Sequence, residues 1–232
     1  MGKRLAVVQS SYIPWKGYFD LIHDVDEFVL FDDAQFTRRD WRNRNRIKTK
    51  DGVRWLTIPL AVKGHYHAPI KDMRVADPTW GQRHWRQLSV SYGKARGFRR
   101  LAERFEALYL GSGDERLSVI NRRFIDEVCS LLKIDTRLSW STDYTLEAGR
   151  NQRLIDLCLQ AGATTYVSGP SARAYLDVEL FRRSGLEVVF FDYAGYPPYE
   201  QPFPPFEHTV SVLDLLFCTG DDAPRYMLTF SS

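Results

Sequence analysis

Short apolar runs alternate with longer amphipathic segments along most of the chain. The short runs are rich in β-branched and aromatic residues and end at polar or turn-forming residues, a pattern that predicts strands. The longer segments repeat apolar residues every three or four positions, which predicts helices. The predicted strands cover residues 4–9, 27–31, 54–60, 70–75, 136–141, 164–168 and 187–191, and the predicted helices cover residues 15–23, 79–91, 97–110, 117–132, 151–161, 172–183 and 209–218. Five prolines between residues 196 and 206 predict an extended loop.

The order of these elements predicts an α/β fold. Strands followed by helices at both ends of the chain favour a parallel-rich central sheet flanked by helices, because parallel neighbours need a crossover connection. Three consecutive helices at about residues 79–132 form a helical insertion in the middle. The chain shows no internal repeat and no linker-like segment, so we expect residues 1–232 to form one domain.

Composition excludes several classes of protein. With 232 residues, of which 44% are hydrophobic and 14% aromatic, the chain can bury a core and is not expected to be disordered. It has no run of ~18 apolar residues that would cross a membrane, and its first residues do not resemble a signal peptide. Cys129, Cys158 and Cys218 are far apart among apolar neighbours, which favours reduced thiols and a cytoplasmic location.

The positive charge is concentrated in one segment. The formal net charge is +3. Between Thr37 and Lys50 there are seven basic residues and one acid, so this segment carries +6 and the other 218 residues carry −3. A partner attracted by charge should therefore be anionic and should meet the chain there.

Polar stretches follow three of the predicted strands, where an open parallel sheet binds its ligands. The first stretch contains Gln9, Tyr12, Trp15, Lys16, Gly17 and Tyr18. Its Pro14-x-x-Gly17-Tyr18 spacing resembles the Pro-x-His-x-Gly-His element of nucleotidylyl-transferase and class I synthetase folds, and such a fold is one version of the expected architecture. Trp15, Lys16 and Tyr18 stand in place of the histidines, which argues against adenylate chemistry by that route. An aromatic turn that packs a helix on the sheet is the structural alternative.

The second stretch, residues 32–46, follows two acids with interleaved aromatic, amide and arginine side chains. Its candidate residues are Asp33, Gln35, Trp41, Arg42, Asn43 and Arg44. Arginine binds phosphate in a bidentate manner, Trp41 can stack on a ring, and Asn43 can orient a polar group. The same interleaving suits single-stranded nucleic acid. A solvated charged loop is the alternative interpretation.

The third stretch joins a predicted strand to a predicted helix. It contains Ser168, Gly169, Tyr175 and Asp177, and its hydroxyl and N–H groups could hold a ligand, although a helix N-cap at Ser171 is the simpler role. His65 and His67 lack further ligands at metal-site spacing, so we predict no metal site. The sequence contains no P-loop or dinucleotide glycine pattern and identifies no cofactor.

Together these blocks resemble the WbqC-like protein family. The resemblance rests on Gln-x-x-Tyr-x-Pro-Trp-x-Gly-Tyr-Phe from Gln9, Asp-x-x-Gln-Phe ending at Phe36, Trp-x-Asn-Arg from Trp41, Ser168-Gly169, Tyr175-Leu-Asp177, Gln201-Pro-x-Phe203 and Ser211-x-Leu-Asp-Leu-Leu216. It spans nearly the whole chain. Members of the family occur in gene clusters for bacterial O-antigen and related surface polysaccharides, and a glycine transferase has been suggested among them. The resemblance therefore implies a transferase of surface-polysaccharide biosynthesis.

We expect an enzyme that moves a small acyl or aminoacyl group, such as glycine, onto an amino or hydroxyl group of a nucleotide- or lipid-linked sugar. The catalytic candidates are Asp33, Gln35 and Tyr18. Asp33 is the expected general base, because a carboxylate at the end of a buried strand can have a raised pKa; an N-cap or a salt bridge is its structural alternative. The residues expected to bind substrate are Gln9, Tyr12, Trp15, Lys16, Gly17, Trp41, Arg42, Asn43, Arg44, Ser168, Gly169, Tyr175 and Asp177.

The expected partner is an anionic or nucleotide-linked small molecule. Arg42, Arg44 and Lys16 would hold its phosphates, and an aminoacyl-tRNA is one donor that would use the same basic segment. The alternative is a non-catalytic protein that binds RNA or a nucleotide. Such a protein would need the basic segment and the aromatic residues but no general base.

Overall fold

A five-stranded parallel sheet forms the centre of the molecule. The computed structural model describes residues 2–65, 67–111, 113 and 116–230. The sheet contains β1 (Arg4–Val8), β2 (Glu27–Leu30), β5 (Arg137–Trp140), β6 (Thr165–Ser168) and β7 (Glu187–Phe190). Its strand order is β5-β2-β1-β6-β7, and each neighbouring pair is parallel. The predicted α/β class with a parallel central sheet is confirmed.

Helices cover both faces of this sheet. They are α1 (Lys16–His23), α2 (Trp80–Tyr92), α3 (Phe98–Leu110), α4 (Leu117–Leu132), α5 (Arg150–Gln160), α6 (Val178–Arg183) and α7 (Val212–Thr219). The consecutive helices α2, α3 and α4 are the predicted insertion. Among the described residues, no helix combines the length and the apolar character that crossing a membrane requires.

Side chains of the central strands alternate between two apolar cores, because successive residues of a strand point to opposite faces. In β1, Ala6 belongs to the larger core, which also contains Phe19 of α1 and Phe217 of α7. Its neighbour Leu5 belongs to the smaller core, together with Phe181 of α6. Burial on both faces explains why the strands are almost continuously apolar in sequence.

An antiparallel hairpin lies outside the main sheet. Its second strand overlaps the predicted strand at residues 54–60, whereas its first strand was not predicted. It consists of β3 (Arg44–Thr49) and β4 (Gly52–Thr57). Asn45 and Ile47 are buried on its inner face, while Arg44 and Arg46 alternate with them on the outer face. The two-residue period of β3 is not visible in the sequence, because its inward residue Asn45 is as polar as the arginines that alternate with it.

Two other predicted elements differ in the structure. Residues 70–75 form a short 3-10 helix (Ile70–Asp72) followed by isolated bridges, instead of a strand. The predicted helix 172–183 is divided into a 3-10 helix (Pro170–Ala174) and α6. Asp177 caps α6 by accepting the Leu180 N–H at 3.0 Å, so Ser171 is not the N-cap. The proline-rich segment 196–206 contains no helix or strand, as predicted.

Candidate active site at the carboxyl edge of the sheet

The carboxyl ends of β2 and β5 border a cleft of about 550 Å³, which we call the edge cleft. Its walls include three cations (Lys71, Arg74 and Arg116) and two acids (Asp32 and Asp72). Lys71 lies in the 3-10 helix at residues 70–72, Arg74 follows that helix, and Arg116 is the residue before α4. The edge cleft therefore brings positive charge to the edge at which parallel sheets bind ligands.

Asp32 is the most unusual group in the edge cleft. Its side chain follows β2 and is only 2% exposed. Oδ1 accepts the Ser10 N–H at 2.8 Å, but Oδ2 is buried and has no hydrogen-bond donor among the described residues. Burial raises the pKa of Asp32, although the hydrogen bond from Ser10 and the charge of Arg42 oppose the shift. Leaving a buried carboxylate oxygen without a donor costs free energy, so Asp32 Oδ2 is suited to accept a hydrogen bond from a ligand.

Asp33 lies in a different environment from its neighbour. Its Oδ1 forms an ion pair with Lys71 Nζ at 2.5 Å, and its Oδ2 accepts the Ser141 hydroxyl at 2.6 Å. Burial alone would raise its pKa, but these hydrogen bonds outweigh it and lower the pKa below its ordinary value. The expectation of a raised pKa at Asp33 is therefore wrong. The carboxyl group whose pKa is raised is that of the adjacent Asp32.

Arg42 and Tyr18 meet at the end of β1. Arg42 Nη1 donates to the carbonyl oxygens of Gln9 at 3.0 Å and Ser10 at 3.3 Å, and the Tyr18 hydroxyl donates to the same Gln9 oxygen at 3.2 Å. Burial raises the pKa of Tyr18 well above its ordinary value. The structure thus brings three predicted residues together, but Tyr18 is a buried neutral phenol that positions the strand end.

The first turn of α4 also faces the edge cleft and has no side-chain cap. Its N-cap position, Arg116, makes no capping hydrogen bond through a side chain, and the first turn contains no acid. Ser118 and Val119 of this turn line the edge cleft. A helix N-terminus presents N–H groups and partial positive charge. Together with Lys71 and Arg74, it forms an environment suited to a phosphate or carboxylate.

Several predicted substrate-binding residues belong to the interior instead. Tyr12 is fully buried, and its hydroxyl lies 2.9 Å from both His84 Nδ1 and the Tyr109 hydroxyl. Asn43 is buried and donates to the Ile58 carbonyl at 2.8 Å. In this conformation the polar groups of both side chains are used within the interior and do not face the edge cleft.

Lys16 is also directed into the protein. Its ammonium group lies 4.6 Å from the ring centre of Tyr196 and 3.2 Å from the Tyr226 carbonyl oxygen. Burial lowers the pKa of Lys16 to about 8. The side chain is almost completely buried, so the predicted phosphate contact is not available to it.

Trp15, Gly17, Ser168 and Gly169 lie near a second place on the same edge. The connections that follow the neighbouring strands β1 and β6 leave in opposite directions, toward β2 and β7, and such switch points hold ligands in open α/β sheets. The Trp15 ring packs 5.2 Å from the ring of Tyr193. Gly17 leaves room for the indole, since a Cβ there would lie 2.3 Å from a Trp15 ring atom.

The remaining predicted residues are exposed except for Arg44, which is half-buried. Tyr175 stacks against Arg150, whose Cζ is 3.6 Å from the ring centre, and Asp177 is the cap of α6. The Gln35 amide nitrogen contacts His67 Nδ1 at 3.2 Å. Trp41 and Arg44 lie on the outer side of the β3–β4 hairpin. The structure thus does not gather all predicted residues into one site.

Sequence reasoning missed several groups that build the edge cleft: Asp32 as the unusual carboxylate, Lys71, Arg74, Arg116, Asn121 and Ser141. Asn121 had a readable signal, because it interrupts the apolar stripe of α4. Its Nδ2 donates to Ser10 Oγ at 3.0 Å and to the Arg42 carbonyl at 2.9 Å. Lys71 and Ser141 have no comparable signal, since tertiary packing alone brings them to Asp33.

A larger cleft of about 990 Å³ lies between the hairpin turn, the end of α2 and the proline-rich loop. Two of its cations are already paired, Arg54 with Asp51 and Arg96 with Asp222. It contains no buried unpartnered carboxylate comparable to Asp32. Within the described part of the chain, no group of three or more His, Cys, Asp or Glu side chains could hold a metal ion. The edge cleft is therefore the better candidate.

Comparison with known proteins agrees with the sequence blocks. The model of the WbqC-like protein family matches residues 9–226. The chain belongs to this family. It is also 49% identical over 225 residues to a Mycobacterium tuberculosis (strain ATCC 25618 / H37Rv) protein named "Uncharacterized protein Rv1507c", with 97% of each chain covered. No solved structure matches, so the likeness to nucleotidylyl-transferase folds stays a prediction.

Some WbqC-like sequence blocks are explained by the scaffold. Asp214 is fully buried in α7 and accepts hydrogen bonds from Tyr92 and Tyr199 at 2.7 Å and from Gln201 at 2.8 Å. These bonds fix the proline-rich loop against α2 and α7. The Gln-Pro-x-Phe and Ser-x-Leu-Asp-Leu-Leu blocks thus hold the fold, whereas the blocks after β1 and β2 build the edge of the sheet.

Proposed function

We propose that the edge cleft is the active site of a transferase that moves a small acyl or aminoacyl group onto a nucleotide- or lipid-linked sugar. The observation that carries this proposal is the buried Oδ2 of Asp32, which has no donor among the described residues and belongs to a side chain lining a cationic cleft. Three parts of the proposal rest on the family resemblance: the sugar acceptor, the glycine-type donor and the role in surface-polysaccharide biosynthesis.

Each part of the edge cleft has a role in this reaction. A hydroxyl or amino group of the acceptor donates a hydrogen bond to Asp32 Oδ2, and the carboxylate takes the proton as the nucleophile attacks the acyl carbon. The bond between that carbon and the oxygen or sulfur of the donor's leaving group then breaks. The leaving group takes the proton from Asp32, which regenerates the carboxylate. Lys71, Arg74 and the first turn of α4 bind the phosphate groups of the substrate. The raised pKa of Asp32 makes it a stronger base than an ordinary aspartate.

The test is a transfer assay with nucleotide-linked amino sugars and labelled glycine donors, including glycyl-tRNA and a glycyl thioester. Mass spectrometry of the sugar nucleotide identifies the product, and titration calorimetry measures how tightly the protein binds the unmodified sugar nucleotide. Asp32→Asn should lower turnover by about 10²–10⁴-fold, with a change of at most a few-fold in the dissociation constant. Lys71→Ala should mainly weaken binding.

Asp33→Asn is the matched comparison because it changes the adjacent carboxylate. It should weaken substrate binding through Lys71 and leave most of the turnover at saturation. Full turnover in Asp32→Asn, or a larger loss in Asp33→Asn, would contradict the assignment of the base. Absence of sugar-nucleotide binding to the unchanged protein would contradict the proposed substrate class.

A further inference from the structure

We propose that the outer side of the β3–β4 hairpin binds single-stranded nucleic acid. We call this surface the hairpin face and define it by Trp41, Arg44, Arg46 and Trp55. The two tryptophans are 39% and 42% exposed. Two adjacent indoles with so much surface in water are unusual in a chain whose other large aromatic side chains are mostly covered.

The hairpin register brings the four side chains together. Arg46 lies directly opposite Trp55, and directly opposite residues of an antiparallel pair share a face. The ring centres of Trp41 and Trp55 are 5.1 Å apart. The Arg44 guanidinium lies 4.1 Å from the centre of the Trp55 ring, and that of Arg46 lies 5.6 and 5.8 Å from the Trp41 and Trp55 rings. Flat cationic and flat aromatic groups therefore alternate over one surface.

The charge of the hairpin face is not neutralised within the described part of the chain. No carboxylate there forms an ion pair with Arg44 or Arg46. Arg44 donates to the Arg39 carbonyl and Arg46 to the carbonyl and hydroxyl oxygens of Thr209. The pKa of Glu207 is lowered mainly by hydrogen bonds from Thr209 and to a smaller extent by the charge of Arg46. These contacts hold the guanidinium groups in place and leave their charge available.

Both features match single-stranded nucleic acid. Bases can stack on the exposed indoles, and the phosphates between them can meet the arginines. An acidic peptide would satisfy the charge but offers no regular series of planar rings. An anionic membrane would satisfy the charge but would favour apolar side chains that insert over rigid stacked rings. The geometry therefore favours nucleic acid over these two partners.

The hairpin face is linked to the edge cleft through a short piece of chain. Trp41 lies on the hairpin face, and the next residue, Arg42, binds the end of β1. A donor carried on an RNA, such as an aminoacyl-tRNA, would thus approach the edge cleft from an adjoining surface. Binding to the hairpin face does not depend on transferase activity, so the two proposals can fail separately.

The experiment measures the fluorescence anisotropy of labelled twelve-residue oligouridylate and oligothymidylate with the full-length protein at 50–200 mM salt. Contact of Arg44 and Arg46 with about two phosphates predicts a log–log salt slope near −1.4, which corresponds to a roughly 7-fold loss of affinity over this range. Trp55→Leu should weaken binding by roughly 10-fold or more, because one base stack is lost. Stronger binding of the uridylate would identify RNA as the preferred ligand.

Three further variants separate stacking, charge and folding. Arg44→Lys keeps the charge and should weaken binding without changing the salt slope, whereas Arg44→Gln should reduce the slope by about 0.7. Trp55→Phe should recover most of the affinity lost in Trp55→Leu, which a folding defect would not allow. Arg99→Gln removes an exposed cation of α3 and should leave binding nearly unchanged.

Other outcomes would overturn the proposal. Equal effects of Arg99→Gln and Arg44→Gln would show non-specific attraction to net positive charge. Binding to polyglutamate or to phosphatidylglycerol vesicles that exceeds binding to both oligonucleotides would assign the hairpin face to a peptide or a membrane. Unchanged affinity in Trp55→Leu would remove the role of stacking.

Discussion

Asp32 and Asp33 are adjacent in sequence, yet their replacement by asparagine should change stability in opposite directions. In the folded state, burial disfavours the ionised form of Asp32. Asparagine can still accept the Ser10 N–H through Oδ1 and removes the buried charge. An unpartnered buried group costs about 1–3 kcal/mol, and the cost is larger for a charged oxygen than for the neutral amide nitrogen that would replace it. Because Arg42 offsets part of this cost, Asp32→Asn should raise the free energy of unfolding by about 1 kcal/mol at pH 7.

Asp33→Asn should lower the free energy of unfolding at the same pH. It removes the ion pair with Lys71, whose side chain is 40% exposed, so that this pair contributes less than about 1 kcal/mol. It also weakens the hydrogen bond from Ser141, which contributes about 1 kcal/mol because its acceptor is charged. The expected loss is therefore about 1–2 kcal/mol, or roughly 2–8 °C in melting temperature for a chain of this size.

The pH dependence follows from the direction of each pKa shift. The pKa of Asp32 is raised in the fold, so the cost of its ionised form is absent below the ordinary value of 3.8 and complete only above the folded-state pKa. The pKa of Asp33 is lowered in the fold, so its stabilising effect is present above 3.8 and is lost as the pH falls through the folded-state pKa. Both differences from the unchanged protein should therefore shrink in acid.

Urea denaturation followed by circular dichroism at pH 7, 5 and 4 measures these differences. Opposite signs at pH 7 would agree with one unpartnered and one paired carboxylate. Equal losses in both variants at pH 7 would refute the reasoning, as would a loss of more than 1 kcal/mol in Asp32→Asn. In Asp32→Asn, a constant difference between pH 7 and pH 4 would show that ionisation is not its cause. For Asp33→Asn the difference should shrink only below pH 3.8, so its test adds a measurement at pH 3.

Two further predictions concern the scaffold. Gly17→Ala should lower the free energy of unfolding by about 1–3 kcal/mol, since the new Cβ would lie 2.3 Å from the Trp15 ring. A change no larger than that of Gly113→Ala, where the space around the Cβ is open, would contradict this packing. Asp214→Ala should cost about 3 kcal/mol, because it leaves the buried hydroxyls of Tyr92 and Tyr199 without their acceptor and removes one bond of Gln201. In the same unfolding experiment, a cost similar to that of the exposed Glu200→Ala would argue against the network.

Most of the central sheet could be predicted, because its strands are buried on both faces and therefore have nearly continuous apolar sequences. Strand β4 overlaps the predicted strand at residues 54–60, but β3 could not be predicted, because its inward side includes the polar Asn45 and its outward side carries the arginines. The helix α4 was predicted with its observed bounds, since its apolar stripe is long and regular. Residues 70–75 contain apolar side chains with no clear period, and local contacts chose a 3-10 helix.

The candidate site was predicted by position more than by residue. The sequence places polar stretches after β1 and β2, and the edge cleft lies there. It cannot tell which of two consecutive carboxylates is buried, because that depends on Lys71 and Ser141, which lie 38 and 108 residues from Asp33. Nor can it show that Lys16 turns inward, because the tyrosines around its ammonium group come from the distant proline-rich loop.

The central position of β1 has a consequence for synthesis on the ribosome. One side of β1 pairs with β2, which emerges soon afterwards, but the other side pairs with β6, where Arg4 meets Thr165. At about 5–20 residues per second, that partner arrives roughly ten to thirty seconds later. During this interval the nascent chain exposes an apolar strand edge that favours association with other chains. Production of the protein should therefore depend on holding chaperones more than on its final stability.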